Sequence, residues 1–136
     1  MDKLPNWRSK LDQCINEYEN VIFKYGSHDC STFVSDCILA QTGYDFAADF
    51  RGKYKSLNGG YKLCRKAGYA DNVGVFEKQL TIITTSFAST GDVGVVQADD
   101  ENQALCIIAG RFGIGLTEHG GLIRFDIARL VKVFKV

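Results

Sequence analysis

The spacing of apolar residues changes character partway along the chain, and that change limits the folds open to it. Trp7, Leu11, Ile15 and Tyr18 recur three and four residues apart, which places them on one face of a helix. Asn20 and the β-branched pair Val21-Ile22 loosen the pattern. After the polar turn Gly26-Ser27-His28-Asp29, a second helical stripe runs through Cys30, Phe33, Val34, Cys37, Ile38 and Gln41. Gly43 supplies its stop, and Asp29 or Ser27 its N-cap. Residues 45–54 are expected to form a short helix and a turn at Gly52. Leu57, Tyr61 and Cys64 mark a further helix closed by Gly68, and Asn72 caps one more turn through Val73 and Phe76. Beyond residue 90 the helical spacing gives way to short runs. Val93, Val95 and Val96 follow the turn Thr90-Gly91-Asp92, and Asp99-Asp100-Glu101-Asn102 reads as a polar hairpin tip before the apolar run Ala104–Ala109. Glycines 110, 113, 115, 120 and 121 punctuate strands holding Ile114, Leu116, Leu122, Ile123 and Phe125. Val131, Val133 and Val136 alternate with Lys132 and Lys135, the pattern of a half-buried last strand. Helices first and a meander second is an α+β layout, a helical N-terminal half packed on a C-terminal antiparallel sheet. A chain of 136 residues fits a single domain, 1–136, around one core.

Charge narrows the function classes. Sixteen basic and sixteen acidic residues cancel, whereas a free-standing nucleic-acid binder carries a basic excess to neutralise phosphates. No nucleic-acid partner is expected. A neutral surface does little to hold copies apart, which suits life inside an assembly. No apolar run approaches the roughly 20 residues that span a bilayer. The opening Met1-Asp2-Lys3-Leu4-Pro5-Asn6-Trp7 lacks a signal-peptide core, so synthesis in a cytoplasm is the expectation.

Five cysteines, an odd number with no CxxC pair, argue against a disulfide framework. With only His28 and His119 as imidazoles, the spacing suits no zinc site, and neither metal nor cofactor is expected. Cys14, Cys37, Cys64 and Cys106 read as small buried apolar groups. Cys30 differs, because it falls on the first turn of a predicted helix behind a polar turn. Unpaired N–H groups and the helix dipole there lower a thiol's pKa and suit a nucleophile for acyl transfer. The competing reading is a cysteine on the inward face of an amphipathic helix. A thiolate needs a base. His28 lies two residues before Cys30 in the turn, where reaching the thiol requires an unusual backbone. His119, in the strand-rich half, is the better partner; its alternative is a solvated turn histidine beside two glycines.

Two further features carry less. Phe112-Gly113-Ile114-Gly115 is not followed by a predicted helix, so its glycines mark tight turns or close backbone approach rather than a nucleotide loop. Arg51, Lys53, Lys55, Lys62, Arg65 and Lys66, interleaved with Tyr54 and Tyr61, form a basic, aromatic stretch. It reads as a solvated helix face or as a surface for an anionic partner such as peptidoglycan.

The segment FKYGSHDCSTFVSDCILAQTG resembles the opening motif of NlpC-type cell-wall cysteine peptidases, in which an aromatic-x-Gly turn leads to Asp-Cys-Ser and a helix. STGDVGVV is similar to that superfamily's Gly-Asp turn into the first strand, and ALCIIAG to its second strand. A phage-encoded branch is closer still, through TGYDFAADFRGKY, the lone Gly-Asp turn and the terminal aromatic strand. The resemblance implies a papain-like fold, Cys30 in the nucleophile's place, and a phage or prophage tail-tip protein among hub and fibre partners in the virion tail. The family's catalytic histidine opens the strand Gln103-Ala104-Leu105-Cys106-Ile107. Its matching position is Ala104, or at best Gln103, and neither is a base. The family's third polar residue falls around Leu116 to His119. Three roles follow: a structural baseplate or hub component with a degenerate peptidase site; a working peptidoglycan endopeptidase or amidase with Cys30 as nucleophile and His119 as base; or a non-catalytic wall- or partner-binding module.

Overall fold

The computed structural model of the protein describes residues 1–99 and 102–136. Among these residues it is a mixed α+β fold with four helices and a six-stranded antiparallel sheet. The helices are α1 (Trp7–Glu17), α2 (Cys30–Thr42), α3 (Leu57–Lys66) and α4 (Asn72–Glu77). The strands are β1 (Thr81–Ile83), β2 (Val93–Asp99), β3 (Asn102–Ala109), β4 (Phe112–Thr117), β5 (Gly121–Asp126) and β6 (Leu130–Lys135). They lie in the order β1-β6-β2-β3-β4-β5, so β2 is central, with Val93 between Ile107 of β3 and Phe134 of β6.

The two faces of the sheet bury different sets of side chains, as the two-residue period of a strand requires. Val93, Val95, Leu105, Ile107, Ile114 and Leu116 face the helices and pack with Phe33, Val34, Ile38 and Phe76. Val96, Cys106, Ile108, Phe125, Leu130 and Val133 form a second cluster on the far face. Space there is tight: a Cβ on Gly94 or Gly113 would lie 2.8 or 2.6 Å from the Cys106 sulfur. These glycines serve close approach, as expected for Gly113.

The Gly-Asp turn before β2 is clamped from three sides. Asp92 is 1% exposed and accepts hydrogen bonds from Ser89 N–H (3.1 Å), the Ser89 hydroxyl (3.2 Å) and Val136 N–H (3.1 Å). Gly91 has φ +98°, and a Cβ there would sit 2.2 Å from Gln41 Oε1. Buried Gln41 donates to the Cys37 and Gly91 carbonyls (3.1 and 3.0 Å) and accepts from Lys3. The turn thereby fixes α2 against the start of the sheet.

Several sequence expectations need correction. Residues 45–54 form successive turns and no helix; Asp45 accepts from Ala47 N–H at 3.0 Å and starts the chain turning. Asp71 rather than Asn72 caps α4, accepting from Gly74 N–H at 2.9 Å. Strand β1 was not anticipated. The polar tip expected at 99–102 includes residues 100 and 101, which lie outside the described residues. Among the described residues no helix is long and apolar enough to cross a membrane.

Candidate functional site

The turn before α2 is built to hold one residue pair, Asp29-Cys30. Asp29 is the N-cap in extended conformation and closes a reciprocal capping box with Thr32: Thr32 N–H donates to Asp29 Oδ1 (2.9 Å) and Asp29 N–H donates to Thr32 Oγ1 (2.8 Å). Its second oxygen accepts from Gly26 N–H (2.9 Å) and from the Tyr54 hydroxyl. The carboxylate is 3% exposed, so these donors replace water, as a buried charge requires. Gly26 has φ +89°, and a Cβ on it would meet the Tyr54 carbonyl oxygen at 2.4 Å. Its own carbonyl accepts from Gly52 N–H at 2.9 Å. The Arg-Gly-x-Tyr segment at 51–54 is thus the wall against which the Gly-x-x-Asp-Cys turn is pressed.

Cys30 begins α2 and is half-buried in a narrow cleft with about 60 Å³ of free volume. Aromatic and aliphatic side chains dominate its walls, among them Tyr25, Phe46, Phe50, Tyr54, Tyr61 and Phe76. Polar contact with the sulfur is long. Ser31 Oγ and Asn72 Nδ2 each stand 3.9 Å from it, while Asn72 donates to Ser31 Oγ at 3.1 Å. The helix terminus was expected to lower the thiol pKa. Burial instead pushes the Cys30 thiol up, with the Asp29 charge adding to it, from an ordinary 9.0 to about 11. Hydrogen bonds from Ser31 and from the Leu105 backbone oppose this and lose. At neutral pH the group is a thiol.

Strand phase decides which residues face it. Leu105 and Ile107 belong to the helix-facing cluster, and Ala104 and Cys106 to the far side. By alternation Gln103 shares the helix-facing side with Leu105, and Ala104 does not. Gln103 and Asn72 line one polar groove with Tyr61, Arg65 and Asp71. Of Gln103 and Ala104, the residue on the Cys30 side therefore carries an amide. On β4, Ile114 and Leu116 face the helices, and Glu118 follows in the turn after the strand. Glu118 accepts from the Tyr25 hydroxyl at 3.3 Å, at the rim of the cleft. His119 is one residue further, exposed in the turn between β4 and β5, and does not line the cleft. His28 is exposed and packs edge-on to Tyr18, with ring centroids 5.7 Å apart. The structure brings Cys30 together with Ser31, Asn72, Tyr54 and Tyr61, and with neither imidazole.

The basic stretch divides. Lys53, Lys55, Lys62, Arg65 and Lys66 are exposed. Arg51 instead turns inward to Asp45, with two 3.0 Å bonds, and to Asp36, which also accepts from the Tyr18 hydroxyl. The guanidinium holds the Asp45 carboxyl below its usual range. This network ties the 45–54 turns to α1 and α2 and is structural.

Comparison with curated proteins finds no match. A family model described as a domain of unknown function, DUF6950, covers residues 2–136. That span holds the clamped Gly-Asp turn, the Gly26–Tyr54 contact and the Cys30 cleft together, and the chain belongs to the DUF6950 family.

Proposed function

We propose that the protein is a tail-tip component of a phage or prophage, built on a papain-like, NlpC-type fold that has lost its peptidase chemistry. The observation that carries the loss is the composition of the Cys30 cleft, which neither histidine of the chain lines. A thiol held near pKa 11 with no imidazole beside it has no base to take its proton. A departing amine would likewise lack a proton donor. Support for the fold comes from a cysteine at the first turn of a helix packed on β3 and β4 of an antiparallel sheet. The tail assignment rests on the sequence resemblance, with the uncharged balance of the chain in keeping with assembly among hub and fibre proteins.

The test is the pH dependence of Cys30 alkylation, read by peptide mass spectrometry on wild type and His119→Ala. Labelling that rises only well above pH 9 in both proteins is the expected result. Fast labelling below pH 7 that slows in His119→Ala would overturn the proposal. It would restore the reading of a working peptidoglycan endopeptidase or amidase with Cys30 as nucleophile and His119 as base.

A further inference from the structure

The pairing of α1 with α2 brings two cysteines together that the sequence separates and the candidate site does not use. Cys14 and Cys37 stand with their sulfurs 3.9 Å apart inside the helix pair. Their setting is fixed on both sides. Toward one end the Tyr18 hydroxyl binds Asp36, and toward the other Leu4 N–H donates to the Gln41 carbonyl at 2.7 Å. At 3.9 Å the two sulfurs are already in van der Waals contact, and a disulfide requires them to close to roughly 2.05 Å. Access is unequal. Cys14 is 9% exposed and lines an open groove of about 400 Å³ with Lys10, Gln13, Asp36 and Leu39, whereas Cys37 is fully buried behind it. Burial and the neighbouring Cys14 sulfur push the Cys37 thiol up, and its position behind Cys14 leaves Cys14 as the sulfur that meets an oxidant first.

We propose that Cys14 and Cys37 form an oxidation site in which a hydroperoxide converts the pair into an intramolecular disulfide joining α1 to α2. The Cys14 sulfur attacks the distal peroxide oxygen and gives up its proton to the departing oxygen. The O–O bond breaks, and the leaving hydroxide or alkoxide takes that proton. Cys14 is left as a sulfenic acid. Cys37 then gives up its proton, its sulfur attacks that of Cys14, and water leaves. The two sulfurs together lose two electrons, and one hydroperoxide is reduced. The reaction leaves Cys30 untouched and holds whether or not the cleft is catalytic.

Reduced protein is titrated with hydrogen peroxide, blocked with iodoacetamide, digested and mapped by mass spectrometry. A linked peptide pair containing Cys14 and Cys37 is expected before any other cysteine reacts, and dithiothreitol should reverse it. The linked form should melt roughly 10 °C higher, as a disulfide restricts the unfolded chain. Cys37→Ala should stop at a Cys14 sulfenic acid that dimedone traps. Should that variant fail to fold, Cys14→Ala serves: its Cys37 is expected to stay alkylatable after peroxide and unfolding. The proposal is overturned if Cys14 and Cys37 both remain reduced once Cys30 is oxidised, or if the first link joins another pair.

Discussion

Replacing Gly26 by alanine separates two costs that glycines usually carry together. Gly26, Gly52 and Gly68 all have positive φ, at 89°, 72° and 95°. An added Cβ meets nothing within 4 Å at Gly52 or Gly68, but lies 2.4 Å from the Tyr54 carbonyl oxygen at Gly26. The backbone term alone is about 1–2 kcal/mol for an L-residue in the left-handed region. Gly52→Ala and Gly68→Ala should each lose about that much. At Gly26 the contact is with backbone, so no rotamer change relieves it, and the turn must move. Moving it weakens the bonds from Gly26 N–H to Asp29 and from Gly52 N–H to the Gly26 carbonyl, both 2.9 Å. At about 1 kcal/mol each, these bring the expected loss in Gly26→Ala to roughly 3–4 kcal/mol. With a urea m-value of about 2 kcal/mol/M, its midpoint should fall about 1 M below those of the two control variants. Equilibrium unfolding followed by circular dichroism measures all three. Equal midpoints would refute the idea that the 51–54 segment presses on the Gly26 turn.

Two other variants probe the same region. Asp29→Asn keeps an oxygen for Thr32 N–H but turns an amide toward Gly26 N–H, and should cost about 1–3 kcal/mol. It should also lower the Cys30 alkylation midpoint without returning it to 9.0, because burial is the larger cause of the rise; an unchanged midpoint would exclude any Asp29 contribution. Arg51→Ala should cost about 1–2 kcal/mol near pH 6 through loss of partly exposed bonds to Asp36 and Asp45. The lowered Asp45 pKa makes that contribution complete above the unfolded value of 3.8 and lost as pH falls through the folded one. The stability gap to wild type should therefore narrow below about pH 4, and a gap that stays constant there would exclude Asp45 as its source.

What the sequence disclosed follows how local each signal is. The Cys30 helix was legible because Asp29 and Gly43 mark both its ends within the segment itself. The cap of α4 slipped by one because Asp71 and Asn72 are adjacent capping residues, and only backbone geometry separates them. Strand β1 has three residues and exists through pairing with β6, 50 to 54 residues on, which no local pattern records. Choosing between Gln103 and Ala104 required strand phase. The run Ala104–Ala109 is apolar on both faces, so it has no alternation from which phase can be read. Asn72 reaches Cys30 from 42 residues away and Tyr54 reaches Asp29 from 25. Arg51 looked like part of a basic surface because its neighbours in sequence are lysines. Its carboxylate partners emerge only when the 45–54 turns fold back on α2.

The amide at Gln103 has a meaning in the language of the genetic code. Glutamine and histidine codons share their first two bases and differ by a purine or a pyrimidine in the third. Gln103 lies on the helix-facing side of β3, in the groove that also contains Asn72. A single transversion there would direct an imidazole to the side of the sheet where the thiol stands. One base therefore separates the amide that β3 carries there from an imidazole in the same place, and the exchange would leave the pairing of β3 with β2 as it is.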